Sequence, residues 1–473
     1  MKKNRNSRLF FIFLFLMISI SFFMLLCFQL ESDYFWHIKA GEYMSQHGIL
    51  NYDVFSWFVK GKYWMSHEWL FEILLYGLKK IFGIYHVYIY CFSCLLFLYV
   101  FLFLSNKKSF LKNIPYSLFF LLFFSLICSN YIQARPHMID FILLAITIFC
   151  LYDLYETEES KKIYLLPAVS MLWANVHGGS SNLAYLFCFL FWIVGHFSFD
   201  FKKIEAKKIS KKKLKKYFFV MILCMIAVCF NFHGVKMFLY PYQNMMDDVM
   251  LHNITEWQNT SLSVPYHYIY YFVLLFFLFT MLLSNKKIRF IDFILFGVSV
   301  YLGLKSIRFW IFTPLIMSFC IFYYVKERKL DVNTEKILFV FSFLLCLFPF
   351  YHFINLKHIS YKINLDNEVI SLLREENPNR LFNMYDYGGE LIYHDILVFV
   401  DGRADLYSPY NYQDYLNISK LEKDYVLLID KYDFDYFLVD SNYPIYTYLK
   451  YDEDYQEIYH NDDVFLYKKI VNN

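Results

Sequence analysis

The chain has 473 residues, 58% of them hydrophobic and 23% aromatic, with a formal net charge of +3. That much apolar surface excludes an ordinary water-soluble protein and predicts an α-helical polytopic membrane protein, since about 20 apolar residues cross some 30 Å of hydrocarbon. The small net charge hides two opposite parts: 34 basic and 20 acidic residues precede Asn355, against 11 basic and 22 acidic from there on.

Phe11–Leu30 is the first expected span. Lys2-Lys3 and the apolar run after them resemble a signal peptide, but no small-residue cleavage site follows, so the segment is read as a retained span. Glu31-Ser32-Asp33 then places two carboxylates at the outer mouth, where acids are costly unless water, a partner or a substrate meets them. They open a large first outer loop, 31–84. Within it Trp36, Ile38, Ala40 and Met44 suit an interfacial amphipathic helix from Asp33, Asn51-Tyr52-Asp53 and Gly61 mark turns, and a second helix is expected from Ser66 to Lys80, before Gly83. Asp33 as an N-cap and Glu68 as a helix-dipole partner are the structural alternatives for those acids.

Further spans are expected at Val87–Leu104, Ile114–Cys128, Met138–Tyr152, Ile163–Ala174, Leu183–Phe197, Tyr217–Phe230, Tyr268–Leu283, Phe290–Leu304, Phe309–Val325 and Ile337–Ile354, about eleven in all. With Met1 inside, the cytoplasmic segments hold 25 Lys and Arg against 9 in the outer loops, the positive-inside signature. The Lys207–Lys216 run is then a cytoplasmic, membrane-anchoring loop rather than a nucleic-acid contact. All ten cysteines lie in or beside apolar runs, and Cys91 and Cys94 read as packing residues rather than a metal pair.

The chain divides into a membrane domain, 1–354, and a small extracytoplasmic α/β domain, 355–473. In the latter Asp366 is expected to cap a helix through Arg374, Leu397–Val400, Tyr436–Val439 and Val464–Tyr467 to form strands, and Tyr412–Leu421 and Pro444–Tyr451 to form helices. Tyr385-Asp386-Tyr387-Gly388-Gly389 reads as a turn relying on positive φ.

On this topology eight histidines lie in outer loops: His37, His47, His67, His137, His177, His233, His252 and His267. His86 sits at an outer span mouth, and His196 near the cytoplasmic side. Such one-sidedness points to an outward-facing polar site, against the bland reading that interfacial histidines tolerate headgroups. Arg135 and Arg308 at span mouths need an anion, and phosphate or carboxylate fits the fork; a lipid headgroup or an internal acid is the alternative. Asn175 with His177, and Asn231 with His233, serve either as span-end caps or as site residues. No HExxH is present, and carboxylates at Glu31 and Asp33 would favour Mg²⁺ or Mn²⁺ if a metal binds there.

Glu31-Ser32-Asp33 after the first span, the interfacial helices, the many spans and the soluble tail together resemble the GT-C superfamily of polytopic glycosyltransferases. More narrowly, Asp33…His37, Asp53…Ser56, His67-Glu68-Trp69, Asn175…His177-Gly178, Glu256-Trp257 and Gly388-Gly389…Asp401-Gly402-Arg403 look like an uncharacterised bacterial branch of it. That resemblance covers most of the chain. It implies an inverting transfer at the cell membrane from a polyprenyl-phosphate-linked sugar to a glycan, lipid or protein acceptor of the cell envelope. Asp33 would be the base, Glu31 would orient it or share a divalent metal, and Arg135 and Arg308 would clamp the donor phosphate. His37, His67, Glu68, His137, Asn175, His177, Glu256 and Arg403 would contact sugar or acceptor. A lipid-linked-sugar flippase or transporter, a polysaccharide polymerase or ligase, and a non-catalytic scaffold are the competing readings. A transporter would use ionisable groups near mid-membrane, whereas only Asp140 and Asp292 come near spans, both close to their ends.

Overall fold

The structure is a computed structural model that describes residues 2–28, 30–247, 249, 253, 257–326 and 364–470. The chain forms two compact units: Met1–Gln29, Ile84–Gln243 and Ile254–His358 make the first, and Leu30–Gly83, Asn244–Asn253 and Ile359–Asn473 the second. The first loop therefore belongs with the tail, whereas the sequence division at 354/355 grouped it with the spans.

The described residues are mostly helical, and five helical stretches are long and apolar enough to cross a membrane: Leu9–Cys27, Trp69–Ser105, Ile114–Tyr131, His137–Glu156 and Pro265–Leu282. The second of these is interrupted by a turn at Gly83–Tyr85, so that Trp69–Phe82 and His86–Ser105 are separate helices. Other expected spans are shorter. Leu166–Val176 and Leu183–Val194 form helices of 11 and 12 residues. Phe309–Val325 is broken into the helix Phe312–Met317 and 3-10 turns on either side. Ile337–Ile354 lies outside the described residues, as do His252 and Glu256.

Large aromatic side chains fill the interior of the first unit. Phe103, Phe110 and Phe120 are fully buried, and Phe103 stacks on Phe13 with centroids 5.4 Å apart. The Lys-rich loop after Phe197 is partly ordered as a small sheet, with Phe199–Phe201 antiparallel to Ile204–Ala206, which pairs in parallel with Ile288–Arg289. Asp292, a carboxylate a transporter would exploit, is engaged internally: Arg289 Nε donates to it at 2.7 Å and the hydroxyls of Tyr152 and Tyr324 at 2.6 and 2.5 Å. The nine described cysteines are free thiols.

The second unit carries a four-stranded mixed sheet in the order Leu381–Asn383, Tyr436–Asp440, Val464–Lys469, Tyr455–His460. The first pair is parallel and the others antiparallel. Helix Asn367–Glu376 begins as expected, Asp366 Oδ1 accepting from the backbone N–H groups of Glu368 and Val369 at 3.0 Å. Leu397–Val400 is not a strand; only Val398 bridges, to Ser56. Val398, Phe399 and Val400 are nevertheless buried, while Leu397 is exposed; Phe399 stacks on Trp57 at 5.5 Å and Trp57 Nε1 donates to the carbonyl of Leu381 at 3.0 Å. Strands Leu381–Asn383 and Tyr455–His460 escape the sequence reading; the first is only three residues long and the second has a mostly exposed, polar face. The Tyr385–Gly389 segment is a 3-10 turn running into helix Gly388–Tyr393, not a positive-φ turn.

Glu390, in that helix, is 1% exposed and accepts backbone N–H bonds from Asn364 and Leu365 at 2.9 and 3.0 Å. Burial outweighs those donors and pushes its carboxyl up to about 6. The folded state thus holds this proton more tightly than the unfolded chain. Its stabilising effect is full below about pH 4.5 and is lost as pH rises through about 6, amounting to about 2 kcal/mol at ~1.4 kcal/mol per unit. Thermal unfolding of the wild type and Glu390→Gln between pH 4 and 8 is expected to show a stability difference that shifts in favour of the Gln variant as pH rises across that window.

Candidate functional sites

Helices Asp33–His47 and Trp69–Phe82 of the second unit pack closely because position 41 is glycine; a Cβ there would lie 2.1 Å from the carbonyl oxygen of Glu72. His37, one turn before Gly41 on the same face, is thereby brought against the start of the other helix. Its Nδ1 lies 3.3 Å from Glu72 Oε1 and its Nε2 3.5 Å from Glu68 Oε2. The ring sits 1% exposed between Trp36 and Phe71. His67 lies 3.4 Å from the other oxygen of Glu68 and 3.8 Å from Asp405. Burial alone would lower the His67 pKa, but these two acids and the Met65 carbonyl raise it to about 9, so the ring is an imidazolium at neutral pH. His37, His67 and Glu68 come together as expected; Glu72 and Asp405 complete the cluster. In a sequence, Glu72 looks like one more exposed acid on a short helix, and only the Gly41 contact reveals its burial.

Asp33 is half-buried in the first turn of its helix, where Oδ1 accepts from Trp36 Nε1 at 3.1 Å. It is not the N-cap, a position held by Ser32. A Cβ at Gly389 would meet the Ser32 carbonyl at 2.2 Å, which requires glycine there, and one at Gly402 would meet the Asp33 side chain, with Oδ1 at 1.8 Å. Glu31 precedes the helix, its carbonyl accepting from the Tyr34 N–H at 3.1 Å. Asp386, whose side chain still reaches solvent, is raised above the usual carboxylate range by partial desolvation and by the neighbouring charges of Asp33 and Asp440.

Arg403 departs from its expected substrate role. It is 2% exposed, and its fork is turned onto Asp401, with Nε–Oδ1 2.8 Å and Nη2–Oδ2 2.6 Å, and onto Asp53 at 2.7 Å through Nη1. Tyr407 Oη accepts from it at 3.1 Å, and Trp64 lies under the guanidinium at 4.8 Å.

In the first unit, Trp173 Nε1 donates to Asp140 Oδ1 at 2.8 Å and His177 Nδ1 bonds Asp140 Oδ2. Arg308 Nη2 donates to His177 Nε2 at 3.1 Å, which leaves the ring proton on Nδ1, facing Asp140. The guanidinium also lies over Trp257 at 5.2 Å. The hydroxyl of Tyr131 ties the segment that carries His137 to the carbonyl of Ile307, beside Arg308; His137 Nε2 bonds the Tyr131 carbonyl at 2.8 Å. Arg135, half-buried, follows the same segment, its carbonyl accepting from Tyr90. Asn175 takes the capping alternative, donating to the carbonyls of Met171 and Phe230 at 2.7 and 3.0 Å.

No family model matches this chain, and no curated protein matches it.

Removing the Arg403 fork leaves Asp401 and Asp53 buried without their cation. Arg403→Met is expected to cost on the order of 3–5 kcal/mol, and Arg403→Lys to recover only part of it, because an ammonium cannot span both carboxylates. Denaturant unfolding followed by the fluorescence of Trp57 and Trp64 checks both variants.

Proposed function

We propose that the protein is a membrane glycosyltransferase of the GT-C kind, passing a sugar from a polyprenyl-phosphate donor to an extracytoplasmic glycan, lipid or protein acceptor with inversion. The five membrane-length helices support membrane insertion, and the Lys/Arg distribution supports an orientation with Met1 cytoplasmic, about eleven spans, and both the first loop and the tail outside.

The observation that carries the reading is the setting of Asp33. Its carboxylate accepts from the Trp36 indole N–H and lies against Gly402, yet keeps solvent access, which suits a base that must meet an acceptor hydroxyl. Taking that proton as the hydroxyl oxygen attacks the anomeric carbon leaves the lipid phosphate as the departing group. Asp386 is a second acid beside Asp33, available to orient the acceptor. His67 is assigned to sugar or acceptor hydroxyls, with Glu68 beside it at 3.4 Å. Arg308 is assigned to the phosphate, and Asp140 and His177 support it as positioning residues by fixing the ring proton and hence the face offered to the guanidinium. Arg135 is assigned to the same anion. The engagement of Asp292 and Asp140 by internal donors weakens the transporter reading.

In cells expressing Asp33→Asn, transfer to surface glycans is expected to fall about 10²–10⁴-fold while lipid-linked sugar accumulates, both measured by mass spectrometry. Normal transfer by a folded Asp33→Asn protein would overturn the assignment. Arg308→Lys keeps the charge but loses the fork, and is expected to raise KM for the donor by about tenfold or more. Asp140→Asn is expected to reproduce that effect more weakly, with membrane kinetics as the readout.

A further inference from the structure

His37 stands between two acids in a buried pocket, and one donor atom from each of His37, Glu68 and Glu72 lies within 4.8 Å of the other two. All three residues are buried, and Trp36 and Phe71 wall the imidazole. Two carboxylates facing one imidazole away from water concentrate negative charge where it is poorly solvated.

We propose that His37, Glu68 and Glu72 form a three-ligand site for a divalent transition-metal ion, with Zn²⁺ as the reference ion. One imidazole nitrogen and two carboxylate oxygens suit Zn²⁺ or Mn²⁺ better than Mg²⁺ or Ca²⁺, which favour all-oxygen shells. Bonds of about 2.0–2.2 Å around a tetrahedral ion place neighbouring donors roughly 3.4 Å apart. Glu72 Oε1 lies 3.3 Å from Nδ1 and Glu68 Oε2 3.5 Å from Nε2, so an ion on either nitrogen draws in the carboxylate that now faces the other, across donor separations of up to 4.8 Å. The ion takes the place of the proton on one ring nitrogen, and Glu68 and Glu72 close on it.

The groups behind the ligands are already arranged as outer support. Ser66 Oγ donates to the second oxygen of Glu72 at 3.2 Å, and His67 lies 3.4 Å from the second oxygen of Glu68. Such contacts orient metal-bound carboxylates. The ligands sit on or at the start of helices locked together at Gly41, which gives the rigidity a metal site needs. Three protein ligands leave a further coordination position for water or a ligand oxygen. This site is separate from Glu31 and Asp33, and it stands whether or not the chain transfers sugars.

The test uses full-length protein in detergent, stripped with EDTA and titrated with Zn²⁺, with bound metal measured after desalting. About one ion per chain is expected, retained in excess Mg²⁺. Glu68→Gln, Glu72→Gln and His37→Gln are each expected to weaken binding by at least about tenfold, whereas His460→Gln, an exposed histidine paired with Glu457, leaves it unchanged. Mn²⁺-loaded wild type provides a readout independent of variant folding: electron spin echo spectroscopy is expected to detect one imidazole nitrogen coupled to the ion. Binding far below one ion per chain, equal binding by folded Glu68→Gln, or Mn²⁺ without nitrogen coupling would overturn the proposal and leave His37 as a simple ion-pair partner.

Discussion

A guanidinium has five N–H donors and keeps its charge, so it can be buried only where acceptors meet it in its own plane. Arg403 meets two carboxylates there, one two residues before it and the other 350 residues away at Asp53. Three charges in the core leave one net negative charge, and the backbone absorbs it: the N–H of Ser56 donates to Asp53 at 2.9 Å and that of Arg403 to Asp401 at 2.9 Å. The arrangement is specific rather than strongly stabilising, since desolvation offsets most of the Coulomb attraction. Its effect is to join residues of the first loop to residues of the tail within one folded unit. Tyr385 Oη, donating to the Gly402 carbonyl at 3.0 Å, holds the turn after Asp401 as well.

That turn presents Gly402, and the absence of a side chain there lets the backbone lie against Asp33. Gly389 repeats the device, since a Cβ there would meet the Ser32 carbonyl at 2.2 Å. Gly41 does so once more on the other side of the Asp33–His47 helix, against Glu72. A single helix is thus gripped from several directions by backbone rather than by flexible side chains. Backbone contacts have few alternative arrangements, so the carboxylate of Asp33 and the imidazole of His37 are held with little freedom.

Periodicity and caps were readable wherever local physics decides. The helix from Asp33, the cap at Asp366 and the stop at Gly83 all follow from nearby residues. The sheet was half legible: Tyr436–Asp440 and Val464–Lys469 are apolar enough to see, whereas Tyr455–His460 presents a largely polar face and Leu381–Asn383 is too short to show alternation. Leu397–Val400 misled because burial against Trp57 demands apolar residues whether or not a strand forms. For the site, clustered His, Asp and Arg were visible as types, but their partners were not. Arg403 and Asp53 are far apart in sequence, and nothing local distinguishes a paired arginine from a substrate-binding one. Likewise Glu72 acquires its role only through a glycine 31 positions earlier on another helix.

Asp33 and His37 lie one turn apart on the same helix yet in different media. Asp33 occupies the first turn, where the aligned backbone N–H groups favour a negative group, and it borders solvent. His37 is enclosed by Trp36, Phe71 and two glutamates. Trp36 separates the two environments: its indole N–H holds Asp33 while its ring covers His37 at 3.7 Å. A proton-accepting carboxylate needs water or substrate at hand, whereas a site that retains an ion gains from being dry, because electrostatic attraction strengthens as solvent is excluded. One indole side chain therefore lets a short helix carry both the proposed base and the proposed ion ligand, and the packing that fixes its ring fixes the division between them.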